Sequence, residues 1–227
     1  MKNITLLSIL LSLVSLDNFA QESRDTRKWH FGVIAGIQPY GKVFDTNKWK
    51  STSGFLGGLS LQYQVGGKLK GASVLLQPHW SELSQMYSDG PHSWGSVEGK
   101  WESESIHIPL LIRYTIGNGR IRPYVEIGSS FKFRTSLRNR RSGAVCGVIG
   151  CTPFASDINL QSTTSQDRVG LIAGVGAEVN LWKLSVPISI RVDEAVGTYK
   201  IKDPFPNAQS YSDLKTRTFQ IVTGITF

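Results

Sequence analysis

Apolar and polar residues alternate with a period of two along eight stretches of this 227-residue chain. The pattern is plainest in the last stretch, 216–227, which reads TRTFQIVTGITF. One parity holds Phe219, Ile221, Thr223, Ile225 and Phe227, and the other holds Thr218, Gln220, Val222, Gly224 and Thr226. Such alternation predicts a β-strand with one apolar face. A mostly apolar face that ends on an aromatic is typical of the last strand of an outer-membrane barrel.

The connections between the predicted strands alternate strictly between long and short. The seven earlier strands are predicted at 29–38, 55–65, 72–80, 104–114, 122–133, 168–179 and 183–193. The short connections are 66–68, 115–121 and 180–182, and the long ones are 39–54, 81–103, 134–166 and 194–215. The sequence therefore predicts an all-β fold: an eight-stranded antiparallel up-and-down transmembrane β-barrel, with short periplasmic turns and long extracellular loops.

The direction of the apolar face distinguishes two kinds of barrel. A soluble lipocalin-like barrel also alternates, but its apolar face points inward. Here the polar face is rich in Gly and Ser, which suits an eight-stranded lumen because side chains fill it. The charges on this face are Arg113, Glu126, Lys132, Arg168, Glu178, Arg191 and Asp193. We interpret them as a lumenal charge network that plugs the barrel; the alternative is a proton or ion path.

The apolar face of the last six predicted strands carries almost no charge. A Lys or Arg there would cost ~2–4 kcal/mol at the bilayer midplane. Aromatic residues lie at strand ends, as expected at the two membrane–water interfaces. They are Trp29, Phe31, Tyr63, Trp80, Tyr114, Phe131, Phe133, Phe219 and Phe227. We therefore expect the apolar face to contact lipid.

The N-terminus predicts export. Lys2 is followed by an apolar run over 4–16 and by a small residue, Ala20, where cleavage would occur. This divides the chain into a signal peptide (1–20), a short N-terminal periplasmic segment (21–28) and an outer-membrane β-barrel (29–227). No later stretch approaches eighteen apolar residues, so we predict no helical membrane span.

Composition changes the picture in two ways. The net charge is +8, but export argues against nucleic acid as a partner, and outer-membrane lipid and the phosphates of lipopolysaccharide are the expected contacts. The two cysteines, Cys146 and Cys151, are candidates for a local disulfide in an oxidising compartment. Without a nearby histidine they predict no metal site, and no cofactor is expected.

Three segments resemble the PorT-like family of outer-membrane β-barrels (outer membrane protein beta-barrel domain). They are IHIPLLIRY at 106–114, RPYVEIG at 122–128 and VGLIAGVGAEV at 169–179. The resemblance covers about 29–227 and implies an eight-stranded barrel in the outer membrane of a Gram-negative bacterium. It implies a fold rather than a mechanism, and no functional residue is carried over from it.

The third long connection is the most distinctive exposed segment. Its four arginines are candidate contacts for lipopolysaccharide or an acidic partner, since Arg clamps phosphate bidentately: Arg134, Arg138, Arg140 and Arg141. The alternative is a solvated basic loop. The apolar stretch 144–154 follows and, if the cysteines join, forms a knob that contacts a partner or packs over the barrel mouth.

The other long connections offer weaker chemistry. Asp89 and His92 form a spaced pair of the kind that a hydrolase uses, but such pairs in loops are usually hydrated turns. Aromatic residues in these connections suit either recognition or the membrane interface: Trp49, Tyr87, Trp94 and Trp101. We predict no catalytic, cofactor or metal site, and a structural or interaction role through extracellular loops. An accessory component of a secretion or transport complex and a narrow channel are the alternatives.

Overall fold

The structure is a computed structural model. It describes residues 28–42, 49–51, 54–65, 71–92, 95–117, 119–161, 168–181, 184–196, 199–200, 212–214 and 217–227. The predicted signal peptide and all but the last residue of the predicted periplasmic segment lie outside this range. Within it, no helix is long and apolar enough to cross a membrane.

Thirteen strands make up the described part of the fold. They are β1 Trp29–Lys42, β2 Trp49–Ser51, β3 Gly54–Gln64, β4 Gly71–Leu76, β5 His79–His92, β6 Gly95–Thr115, β7 Ile121–Gly147, β8 Gly150–Asn159, β9 Arg168–Leu181, β10 Leu184–Ala195, β11 Tyr199–Lys200, β12 Ser212–Leu214 and β13 Arg217–Thr226.

Antiparallel pairing closes nine of these segments into a ring of eight strands, because β4 and β5 occupy one position in it. The order is β1, β3, β4 followed by β5, β6, β7, β9, β10 and β13, and β13 pairs with β1. β4 and β5 act as one strand, interrupted where Pro78 has no N–H to donate; the backbone N–H of Leu59 still donates to the Pro78 carbonyl at 2.9 Å. The predicted eight-stranded antiparallel barrel is confirmed.

The barrel is polar inside and apolar outside. Along β13, Gln220 is 1% exposed while Phe219 is 39% and Ile221 40% exposed. The other ring strands repeat this alternation, because successive side chains on a strand point to opposite faces. The soluble-barrel alternative is therefore wrong. The interior also holds two small apolar clusters, one of Ile34, Leu56 and Val222 and one of Leu75, Leu111 and Ile172.

Three strands of the ring continue far beyond it, and a fourth strand pairs with them there. β7 has 27 residues, whereas crossing a bilayer takes about 9–11. The upper parts of β5, β6 and β7, together with β8, form a sheet that we call the extracellular sheet. The predicted long connections 81–103 and 134–166 are thus largely paired strands rather than irregular loops.

A β-bulge marks the base of the extracellular sheet. On β7, Arg134 pairs with Ser105 and Ser136 pairs with Glu104, so Thr135 is an extra residue. One extra residue exchanges the two faces of the strand. Lumenal positions on β7 are therefore even-numbered below Thr135, as at Lys132, and odd-numbered above it, as at Asn139.

Candidate functional site

Buried ion pairs fill the lumen of the ring. At the end with the short turns, Nη2 of Arg122 lies 3.1 Å from Oε1 of Glu178 and 2.9 Å from Oδ1 of Asn180. The hydroxyl of Ser185 also donates to Glu178. This cluster ties β7, β9 and β10 together, because each strand contributes at least one polar side chain.

A second cluster lies nearer the middle of the barrel. Glu126 accepts a hydrogen bond from Nη2 of Arg113 at 3.0 Å and another from Nε of Arg191 at 2.5 Å. The guanidinium of Arg113 also lies over the ring of Tyr124, with Cζ 3.9 Å from the ring centroid. Both arginines are 2% exposed, so the carboxylate and the ring take the place of water.

A third cluster lies toward the extracellular end. Nζ of Lys132 is 2.8 Å from Oδ1 of Asp193, and Nδ1 of His107 is 3.9 Å from Oδ2 of the same carboxylate. The rings of His79 and His107 lie beside each other across β5 and β6, with centroids 5.1 Å apart. Among the described residues, no group of three or more His, Cys, Asp or Glu is arranged to hold a metal ion.

Glycines on β9 make room for these clusters. A Cβ at Gly174 would lie 2.9 Å from Cγ of Arg191 and 3.1 Å from Oε1 of Glu126. A Cβ at Gly176 would lie 2.5 Å from Cζ of Tyr124. The glycine-rich sixth predicted strand thus supplies the volume that the lumenal side chains occupy.

The structure places all seven predicted lumenal charges in the interior, each 9% exposed or less. Arg122 and Tyr124 also belong to the network, although they are not among the predicted lumenal charges. Both share the parity of Glu126, and that parity was the signal that could have identified them. Counted over the described buried residues, five basic side chains face three acidic ones.

The four arginines of the predicted basic cluster do not form one patch. Arg138 and Arg140 are exposed and lie on the outer face of the extracellular sheet, whereas Arg134 and Arg141 are only partly exposed and lie on the opposite face. The exchange of faces at Thr135 and the consecutive positions of Arg140 and Arg141 cause this split. The four arginines therefore do not share one surface, and their contact with lipopolysaccharide or an acidic partner stays a prediction.

The outer face of the extracellular sheet carries charges of both signs. Among the described residues its cations are Lys100, Arg138 and Arg140, and its acids are Glu82, Glu98, Glu102, Glu104 and Asp157. Nζ of Lys100 lies 2.8 Å from Oε1 of Glu102. This hydrogen bond lowers the pKa of the Glu102 carboxyl, so the side chain stays ionised at neutral pH.

A groove of about 730 Å³ opens on the same outer face. We call it the outer-face groove. Small residues line it (Ser88, Gly99, Ser142, Ala155 and Ser156), together with Met86, Glu98, Lys100, Arg140, Arg141 and Asp157. Arg140 lies between two carboxylates, with Nη2 3.5 Å from Glu102 and Nε 3.5 Å from Asp157.

The β7–β8 hairpin ends in a cross-linked tip. Cys146 and Cys151 face each other across the hairpin, with Cα atoms 3.9 Å apart, and are joined by a disulfide. The turn between them presents Val148 and Ile149, which are 104% and 103% exposed. Asp89 and His92 lie on β5, but their side chains, like those of Trp49, Tyr87 and Trp94, are outside the described part of the structure.

The family model described as outer membrane protein beta-barrel domain matches residues 6–227. The chain belongs to this family. Its members are barrels of the outer membrane, so the ring described above crosses the outer membrane of a Gram-negative bacterium. The predicted localisation is confirmed, and the apolar outer face of the ring contacts the lipid of that membrane. None of the curated proteins compared with the chain matches it.

Several solved barrels are similar to this structure. Neisserial surface protein A is 13% identical with a TM-score of 0.42, over 87% of this chain and 94% of that chain. OprG from Pseudomonas aeruginosa is 15% identical with a TM-score of 0.43, over 87% and 93%. Ail of Yersinia pestis, in complex with the heparin analogue sucrose octasulfate, is 10% identical with a TM-score of 0.37, over 88% and 100%.

Proposed function

We propose that this family member is a non-enzymatic surface protein whose plugged barrel anchors the extracellular sheet as an interaction platform. The observation that carries this proposal is the cross-linked tip, where Val148 and Ile149 are fully exposed at the end of a paired hairpin. Large apolar side chains exposed together usually mark a contact site. A disulfide keeps the turn ordered before binding, which lowers the entropy cost of association.

The lumen supports the anchoring half of the proposal. Its ion pairs neutralise buried charges and connect strands that are far apart in sequence, such as Arg113 on β6 with Glu126 on β7 and Arg191 on β10. An interior filled in this way leaves no wide aqueous path. The network therefore acts as a structural plug rather than a proton or ion path.

The platform also includes the arginines Arg138 and Arg140, which point outward from β7. Both lie above the apolar belt on β7 and face outward, toward the charged sugars and phosphates of the surrounding lipopolysaccharide. We propose this pair, rather than all four arginines, as the contact with lipopolysaccharide.

The platform is tested by shortening the hairpin without changing its register. Gly143 and Phe154 are direct partners across β7 and β8, so residues 144–153 are replaced by Asn-Gly, a favoured two-residue turn. The shortened protein is expected to fold and to lose protein partners that wild type retains in cross-linked pull-downs from native membranes. The double variant Val148→Ser/Ile149→Ser should lose the same partners. Identical partner sets for all three proteins would refute the platform.

The resemblance of 106–114 and 122–128 to PorT-like barrels supports a second candidate function. In this case the chain is a PorT-like accessory component of an outer-membrane secretion or transport complex. Such a component is expected to co-migrate with its complex after extraction in mild detergent. Migration as a free barrel under those conditions would argue against this candidate and leave the surface platform.

A further inference from the structure

We propose that the outer-face groove binds an acidic sugar of the lipopolysaccharide core, above the lipid phosphates. The inference rests on the proposed function and names a ligand class for a site on the same platform. It depends on three observations: where the groove faces, how far it stands above the apolar belt, and which side chains line it.

The groove faces the lipids that surround the barrel. On β6, Ile106 and Lys100 share the outward parity. The outward face is apolar up to Ile106, which is 43% exposed, and becomes charged at Glu104, Glu102 and Lys100. A molecule in the groove would therefore lie beside the barrel, over its lipid-facing side.

The height of the groove matches the sugar layer. Lys100 lies six residue steps from Ile106, about 20 Å along a strand at ~3.3 Å per residue. With the usual strand tilt of about 40°, this places Lys100 about 15 Å above the end of the apolar belt. The acyl chains end near the belt and the phosphates of lipid A lie just above it, so sugars of the inner core reach the groove.

The lining suits a ligand that carries both hydroxyl and acidic groups. Lys100 and Arg140 supply donors for a carboxylate or phosphate, and Arg offers five N–H donors in a planar fork. Asp157 and Glu98 accept hydrogen bonds from sugar hydroxyls. Because acids lie beside the bases of the groove, a simple anion gains little from this surface, whereas an acidic sugar satisfies both sets of groups.

Arg140 is held in position for such a ligand. Its two carboxylate neighbours lie at 3.5 Å, one on β6 and one on β8, and its side chain is 51% exposed. The flanking acids orient the guanidinium across the groove without enclosing it. The floor of Gly99, Ser142 and Ala155 leaves space beside it for a sugar ring.

The test compares two defined ligands: purified lipid A, and lipopolysaccharide truncated after its acidic inner core. The protein is the folded full-length barrel in detergent micelles, and its folding is checked by heat-dependent electrophoretic mobility. Wild type is expected to bind the inner-core form roughly tenfold more tightly than lipid A, the difference that one additional charge-assisted contact supplies. Lys100→Gln/Arg140→Gln removes the charges, and Ala155→Trp fills the groove without changing charge. Each is expected to abolish the preference.

The matched control is Arg217→Gln. Arg217 is 56% exposed and pairs with Glu194 at 2.8 Å on the other side of the barrel, so this variant is expected to keep the full preference. A preference that persists in the two groove variants, or that wild type lacks, would overturn the proposal. If the groove variants lose equal affinity for lipid A and for the inner-core form, the cations contact lipid phosphates instead. That result would also overturn the groove proposal and would leave the proposed platform intact. If the groove variants bind lipopolysaccharide like wild type but no longer retain a protein partner in pull-downs, the groove binds a protein instead, and the proposal is overturned.

Discussion

Glu126 uses both of its carboxylate oxygens, one for each of two buried arginines. Glu126→Gln keeps the shape of the side chain but leaves Arg113 and Arg191 without a counter-charge. Breaking a buried pair on one side usually costs about 3–5 kcal/mol, because the remaining charge is left desolvated. We expect the free energy of unfolding to fall by about that amount when the variant is unfolded by urea in lipid vesicles.

The matched control at the residue scale is Glu194→Gln. This glutamate also pairs with an arginine, Arg217, but the two side chains are 31% and 56% exposed. Exposed pairs contribute about 0–1 kcal/mol, so the control should unfold close to wild type. Equal destabilisation by the two substitutions would mean that the lumenal carboxylate has no special structural role.

At the scale of elements, the sequence predicted strands well only where lipid and lumen lie on opposite faces. In 217–227, the two environments require different residues at alternate positions, and the pattern is strong. In 134–147, both faces of β7 lie beyond the lipid, so Arg138, Asn139 and Arg140 follow one another with no apolar parity. The strand was missed there because the alternation that reveals strands no longer exists.

The split of the arginine cluster has a similar cause. It depends on Thr135, a single extra residue in the pairing of β6 with β7. A threonine is an ordinary strand residue, and the unpaired position follows from the register of the neighbouring strand. The lumenal charges were predictable because they obey parity within one strand, whereas the faces above the bulge depend on two strands together.

The glycines of β9 give a prediction at the element scale. Gly176→Ala would place a methyl group 2.3 Å from the backbone carbonyl oxygen of Ile188 and 2.5 Å from Cζ of Tyr124. Overpacking of this kind costs about 1–3 kcal/mol, so the urea midpoint should fall. Gly57→Ala is the control, since its Cβ would meet only the Ile34 carbonyl oxygen, at 4.0 Å, and it should stay within about 1 kcal/mol of wild type. Similar midpoints for the two variants would show that the lumen tolerates added volume.

At the scale of the whole molecule, the barrel and the extracellular sheet differ in how they are held together. The barrel closes on itself, and its strands share a buried polar interior. The extracellular sheet depends on strand pairing, surface ion pairs and one disulfide. Changes in the outer-face groove or at the tip should therefore alter binding while leaving the unfolding of the barrel unchanged, which makes the two parts separable by experiment.

The filled lumen predicts that the intact barrel does not conduct. Wild type in planar bilayers should show no steady conductance, because ion pairs occupy an interior that is narrow in any eight-stranded barrel. The triple variant Arg113→Ser/Glu126→Ser/Arg191→Ser removes all three charged members of the middle cluster together, and it should show openings. Three buried basic side chains, Arg122, Lys132 and Arg168, would then face two acidic ones, Glu178 and Asp193, so these openings should favour anions. The control Arg217→Ser/Glu194→Ser, which removes an exposed pair, should stay closed. A defined conductance in wild type would contradict the plug and make a narrow channel the better account of the molecule.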